Sequence, residues 1–183
     1  MPKHLLCFKG ERHVAPPGSE LRGRKRTPAA PAGPPTKPTL RVLVVTSLAG
    51  ALEPCGCVKD MLGGIDHAAR LTESKKAGAP SLLVAAGPTL FKDPTLKEEE
   101  RTQVVWKAEA IAESLKDMGL AAWTPGNNDW AAGDAELARL AQKTGAPLVA
   151  ANLGGKSGGA EPFRVVEAGG QKIGIVGIAS PLS

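Results

Sequence analysis

The sequence has few aromatic residues and few cysteines. It contains no tyrosine, and aromatic residues make up 3% of the 183 residues, so the core must be built from Ala, Val, Leu and Ile. No apolar run approaches the ~20 residues of a membrane-spanning helix, so no transmembrane segment is predicted. Of the three cysteines, Cys55 and Cys57 are too close for an ordinary unstrained disulfide. A disulfide framework is therefore not expected.

Acidic residues are scarce at the N-terminus. Residues 1–40 carry eight Lys/Arg and two Glu, whereas the remainder carries fifteen Lys/Arg and sixteen acidic residues. The formal charge of +5 thus belongs to the N-terminal segment, and the near-neutral remainder indicates no nucleic-acid partner. We expect residues 1–39 to form a disordered, basic, Pro/Gly-rich tail or linker, and residues 40–183 to form the folded domain.

Strand and helix patterns alternate along the rest of the chain, which predicts an α/β fold. Continuous apolar runs predict buried strands, and apolar residues at helical spacing predict helices between them. A Gly169-Gly170 pair between two apolar stretches predicts a β-hairpin. The predicted strands are 41–46, 81–86, 120–124 and 147–151, the predicted helices are about 64–77, 96–118 and 134–144, and the hairpin covers 163–178.

The loops that follow the first three predicted strands should converge. In open α/β sheets the binding site lies outside the carboxyl ends of the strands. Segments 47–57, 87–93 and 125–130 are therefore expected to form one rim, which we call the loop rim.

Six stretches, in order, resemble the N-terminal half of the calcineurin-like metallophosphoesterases, and in particular the 5′-nucleotidase branch. The resemblance implies an α/β/β/α sandwich, with mixed sheet layers flanked by helices, of which this chain carries only the N-terminal half. The stretches are LRVLVVTSLAG, LGGIDHAARL, LLVAAGPTLF, MGLAAWTPGNNDW, APLVAANL and VVEAGGQKIGIVGIASP.

The resemblance implies metal-dependent hydrolysis of a phosphate monoester or nucleotide, with Mn, Mg or Zn ions as cofactors. Asn127 matches the family's metal-binding Asn, and Asp129 matches the acid that follows and is expected on the metal side. Asn128 stands where the family has its general-acid His, and an amide cannot deliver a proton near neutral pH.

Three further positions depart from the family's pattern. Ser47 and Ala49 stand where the family has its first Asp and His, and Pro88 replaces the Asp that bridges the two metals. Activity of this chain is therefore expected to be weak or absent. No residue is singled out for binding the substrate.

The resemblance also bears on partners and location. It implies a small-molecule phosphate ester or nucleotide as ligand and a missing C-terminal partner domain, whose loss would leave an exposed sheet edge. It implies a bacterial protein that is exported to the periplasm. The N-terminus lacks the apolar stretch of a signal peptide, so a cytoplasmic location is the alternative.

The segment EPCGCVKDMLGG places Cys55 and Cys57 in the first loop of the rim. Three interpretations remain open. The thiolates bind a soft ion such as zinc or copper(I), they form a redox-active dithiol, or they are small residues in a tight turn. The first two give a non-catalytic or thiol-based metal-binding or redox module as the alternative function.

Overall fold

The computed structural model describes residues 39–54, 63–153 and 158–179. Most of the predicted tail, together with Cys55 and Cys57, lies outside the described residues. Within the described ranges, no helix is both long and apolar enough to cross a membrane.

A parallel sheet organises the first two thirds of the described chain. Its strands are β1 (Arg41–Thr46), β2 (Ser81–Gly87) and β3 (Leu120–Pro125), in the order β1-β2-β3. Both pairings are parallel, so all three carboxyl ends lie at the same edge. The three strands predicted from the apolar runs are confirmed to within a residue at each end.

Helices connect and cover these strands. They are α1 (Gly64–Lys76), α2 (Arg101–Asp117) and α3 (Asp134–Thr144). The α2 helix begins later than the apolar spacing predicted, because Glu98–Glu100 form a separate 3₁₀ turn, a common form of helix start. The bounds of α3 are as predicted, and Gly145 ends it in the left-handed conformation, with φ of 66°.

One face of the sheet packs against α2 and α3 to form the core. Leu83 and Ala85 of β2 and Trp123 of β3 lie on this face, as their pairing register shows. They pack with the apolar stripes of the two helices. The fully buried helix residues are Ala108, Ile111, Ala112, Leu115, Leu137 and Leu140.

The opposite face of β1 differs from the prediction. Val42 and Val44 are 53% and 56% exposed, although the continuous apolar run predicted a strand covered on both faces. The described residues cover only the face of β1 that carries Leu43 and Val45, which pack against the core.

The predicted fourth strand, residues 147–151, is wrong as an element. Leu148 and Val149 form only single bridges, with Trp123 and Glu161 respectively. The chain then turns into a 3₁₀ helix at Ala151–Leu153. Pro147 has no N–H to donate and so cannot support a longer ladder.

The predicted hairpin is confirmed. The strands β4 (Phe163–Ala168) and β5 (Gln171–Val176) pair antiparallel. Gly169 and Gly170 form the turn with φ of 60° and 75°, the left-handed conformations that a two-residue hairpin loop requires.

Candidate functional site

Backbone hydrogen bonds tie the first two loops of the rim together. The N–H of Ala49 donates to the carbonyl of Pro88 at 2.9 Å, and the N–H of Gly50 donates to the carbonyl of Thr89 at 3.1 Å. The two loops therefore continue the β1–β2 pairing beyond the strands. Ser47, Ala49 and Pro88 consequently lie at one edge, as the sequence predicted for the loop rim.

The first loop holds two residues in an unusual backbone conformation. Ser47 and Ala49 have φ of 51° and 48°, the left-handed region that side chains other than glycine rarely adopt. Such residues cost free energy and cluster at functional sites. Here neither side chain is a carboxylate or an imidazole.

Gly126 joins the third loop to the second through close contact. A Cβ at Gly126 would lie 2.2 Å from the nitrogen of Pro88 and 2.5 Å from the carbonyl carbon of Gly87. No side chain fits this gap, so the sequence requires glycine there. The contact places the Asn127–Trp130 turn directly beside Pro88.

The Asp129 carboxylate fixes the second and third loops to each other. It is fully buried, and Oδ1 accepts hydrogen bonds from the N–H of Leu90 at 2.7 Å and of Thr89 at 3.0 Å. Oδ2 accepts from the N–H of Gly126 at 2.9 Å. Because both oxygens are engaged with backbone amides, this geometry favours a positioning role for Asp129 over the metal-binding role expected from the resemblance.

Two opposing effects set the protonation of Asp129. Burial raises the pKa of Asp129 from its ordinary value of 3.8 to about 6, although hydrogen bonds from Leu90, Gly126, Thr89 and Phe91 act to lower it. Desolvation penalises the charged carboxylate more than the amides stabilise it. The group therefore titrates just below neutral pH.

The two asparagines of the third loop differ in their contacts. Asn128 Nδ2 donates a hydrogen bond to the carbonyl of Lys92, so this side chain braces the second loop. Asn127 is partly exposed, and no hydrogen bond of its side chain to another described residue is found. Among the described residues, nothing engages the amide of Asn127, whereas the Nδ2 of Asn128 is engaged by Lys92.

The described residues do not fit a two-metal centre. In residues 39–54, 63–153 and 158–179, no group of three or more His, Cys, Asp and Glu side chains is placed to hold a metal ion. The first two loops supply Ser47, Ala49 and Pro88, and the carboxylate of Asp129 is engaged. His67, on α1, is exposed and lies 3.5 Å from Asp66, as expected of a surface histidine.

The segment carrying Cys55 and Cys57 is anchored at both ends beside the first loop of the rim. A Cβ at Gly64 would lie 2.7–2.8 Å from Glu53 and Pro54 backbone atoms, so the chain leaves and re-enters the described structure at nearly the same place. The N–H of Ile65 also donates to the carbonyl of Ala51 at 3.1 Å. The cysteines themselves lie outside the described residues.

Similarity to known proteins is found among solved structures. No protein-family model matches the sequence, and no curated protein matches it. The 5′-nucleotidase precursor from Thermus thermophilus matches with a TM-score of 0.59 and 21% identity, over 78% of this chain and 29% of that chain. The NAD nucleotidase of Haemophilus influenzae matches with a TM-score of 0.57 and 20% identity, over 78% of this chain and 26% of that chain.

These matches establish the fold. The chain has an α/β fold like part of the nucleotidase structures, which confirms the fold that the six sequence stretches implied. It spans less than a third of the length of either protein.

Proposed function

We propose that this chain supplies one half of a nucleotidase-like phosphoesterase domain whose ligand is a nucleotide or another small phosphate monoester. The observation that supports this most is the loop rim. Its backbone is held together by hydrogen bonds at the carboxyl ends of the strands, in a fold like that of solved nucleotidases. Its described side chains do not complete a metal centre, so we expect the chain alone to hydrolyse such esters weakly or not at all.

We assign different roles to the three polar residues of the third loop. Asn127 is the metal-side residue, because its amide oxygen is available and hard divalent ions prefer oxygen ligands. Asp129 is a positioning residue that holds the second loop against the third. Asn128 occupies the general-acid position without being able to act as an acid. The remaining ligands for Mn, Mg or Zn come from outside the described residues.

Phosphate release tests the proposal directly. The purified chain is incubated with nucleoside monophosphates and Mn, Mg or Zn ions, and inorganic phosphate is measured. We expect release at the background rate. Metal-dependent turnover that disappears in Asn127→Ala, but not in the exposed-amide control Gln142→Ala, would contradict the proposed lack of activity and show a working site.

The gene sequence beyond the codon for Ser183 tests the half-domain assignment. We expect an adjoining or separate coding region that supplies the C-terminal partner domain that the resemblance implies. In a product containing both parts, Asn127→Ala should lower metal-dependent phosphate release while Gln142→Ala leaves it unchanged. A combined product without any turnover would refute the assignment.

A second proposal concerns Cys55 and Cys57, which the resemblance-based function does not use. The described residues that flank their segment, Pro54 and Gly64, lie close together, and the N–H of Ile65 donates to the carbonyl of Ala51. This supports the proposal that the two thiols bind zinc or copper(I) or undergo reversible oxidation. Metal content and thiol titration are compared between the wild type, a Cys55→Ser/Cys57→Ser variant and a Cys7→Ser control. Loss of metal or of reversible oxidation in the double variant alone is expected, and unchanged values would rule the proposal out.

We also propose that the protein is exported to the periplasm. One of the similar structures is named a precursor, which supports a processed protein, and the Pro-rich segment 1–39 suits a linker after a signal sequence. Fractionation of the native host, with the chain detected by antibody, tests this. Recovery in the cytoplasm would contradict it.

A further inference from the structure

A groove runs along the outer side of β1. It has a volume of about 1000 Å³ and is lined by every residue of β1 and by His67, Ala68, Leu71, Thr72 and Lys75 of α1. Leu71, in the middle of α1, is 60% exposed. This apolar side chain therefore faces the groove without a covering partner among the described residues.

The edge of β1 that borders the groove has no strand beside it in the described part of the chain. The sheet order is β1-β2-β3, and β1 pairs with β2 alone. Its second row of backbone N–H and C=O groups is therefore available to another strand, which native proteins usually cover, charge or shorten. Here the edge is six residues long and carries the exposed Val42 and Val44.

The position of α1 shows what kind of group fits the groove. The Arg41 guanidinium donates to the carbonyls of Lys75 and Ala77 at 2.7 and 2.6 Å, which fixes the end of α1 beside the start of β1. Groove-lining residues come from both faces of β1, for example Leu43 and Val44. The space is therefore the next strand position in the sheet, with α1 already placed above it.

We propose that this groove binds an extended aliphatic β-strand that pairs with β1 beneath α1, and that this strand comes from the remaining portion of the nucleotidase-like fold. The source of the strand rests on the proposed function. The similar nucleotidases are more than three times as long as the part that this chain matches, so most of their chain lies outside the matched part. The strand extends the sheet at the edge of β1 and covers the groove side of Val42, Val44 and Leu71.

The charge of the groove favours such a strand over a second copy of this chain. Arg41 and Lys75 line one end, and no Asp or Glu lines the groove among the described residues. A second copy pairing through its own β1, Arg41–Thr46, would bring no acidic residue to this end of the groove. The proposed strand instead carries an acidic residue near Arg41 and Lys75.

The test uses a synthetic peptide of about eight residues, the length of a typical strand with short ends. It alternates Val with Thr, carries Glu at one end and is labelled for fluorescence anisotropy. A control peptide has Pro in place of two Thr residues and cannot donate ladder hydrogen bonds there. Hydrogen exchange of the β1 amides is followed with and without peptide.

Two matched variants locate the binding. Val44→Glu puts a charge in the groove, whereas Val165→Glu puts one on β4, where Val165 is exposed to nearly the same extent, 52% against 56%. We expect saturable binding that slows β1 exchange, is weakened at least about tenfold by Val44→Glu and changes less than about twofold in Val165→Glu.

Three results would overturn the proposal. The first is that the peptide shows no saturable binding. The second is that the Pro peptide binds as tightly as the Val/Thr peptide, or that the Val44→Glu variant binds the Val/Thr peptide as tightly as the wild type does. The third is that the chain forms a dimer in sedimentation experiments and that Val44→Glu dissociates this dimer. The last would make a second copy the occupant. Because no phosphate release is measured, these results are independent of whether the proposed hydrolytic role is correct.

Discussion

Replacing Asp129 by Asn tests whether a buried charge couples the loop rim to pH. Asn keeps the shape and one acceptor oxygen but never ionises. In the wild type the folded pKa lies at about 6, above the ordinary 3.8. The folded state therefore binds more protons than the unfolded state between these values, so its stability falls as pH rises through this window.

The size of the effect follows from the same two values. A difference of about two pKa units corresponds to about 3 kcal/mol, at ~1.4 kcal/mol per unit. On going from pH 4, where the unfolded carboxyl is already partly ionised, to pH 7, we expect the wild type to lose about 2 kcal/mol of unfolding free energy relative to Asp129→Asn. Other titrating groups are common to both proteins and cancel in the comparison.

Urea unfolding at several pH values measures the difference, with the fluorescence of the buried Trp123 as the probe. Asp117→Asn, at an exposed position at the end of α2, is the control and should follow the wild type. Two results would refute the assignment of a buried, desolvated carboxylate. One is that the unfolding free energies of the wild type and Asp129→Asn change with pH in parallel. The other is that the wild type becomes more stable relative to Asp129→Asn as the pH rises.

Two further substitutions test how the loops and the end of the hairpin are held. Gly126→Ala should destabilise the chain by about 3 kcal/mol or more, because its Cβ meets backbone and ring atoms of Pro88. Gly174→Ala, which meets nothing within 4 Å, should change stability by less than about 0.5 kcal/mol, and equal effects in urea unfolding would contradict the contact. Asn152 Nδ2 donates to the carbonyl of Ala179 at 2.8 Å, and the N–H of Ala179 donates to Asn152 Oδ1 at 3.0 Å. Asn152→Ala removes both bonds and should lower the free energy of unfolding by about 1–2 kcal/mol. Faster hydrogen exchange at Ala179 is expected, and unchanged exchange would show that another contact holds this segment.

The local residue pattern was sufficient to predict much of the fold. The apolar runs located β1, β2 and β3, and the Gly169-Gly170 pair located the hairpin, because strand and turn preferences are properties of neighbouring residues. The order of these elements also placed the loop rim, since the carboxyl ends of parallel strands meet at one edge. The strand predicted at 147–151 failed because Pro147 cannot donate to a longer ladder and the chain turns into a 3₁₀ helix at Ala151–Leu153.

The role of Asp129 is the point that the sequence could not decide. In the sequence it is one acid in a Gly-Asn-Asn-Asp turn, as suited to a metal as to a structural contact. Its partners Thr89 and Leu90 lie 40 and 39 residues away, and only the packing of the second loop against Gly126 brings their N–H groups to the carboxylate. Gly126 is a sequence signal that the third loop packs closely against something. The sequence does not show that this partner is Pro88, which lies far away along the chain.

The sequence by itself determined the three parallel strands, the hairpin, the helices, the rim and the absence of carboxylates and imidazoles at Ser47, Ala49 and Pro88, because each follows from residue type and local order. The tertiary structure alone decided that Asp129 is buried among amides and that Val42 and Val44 are uncovered. Burial depends on which distant segments are present to pack against a side chain. The same aliphatic run therefore predicts a strand but not whether that strand has a neighbour.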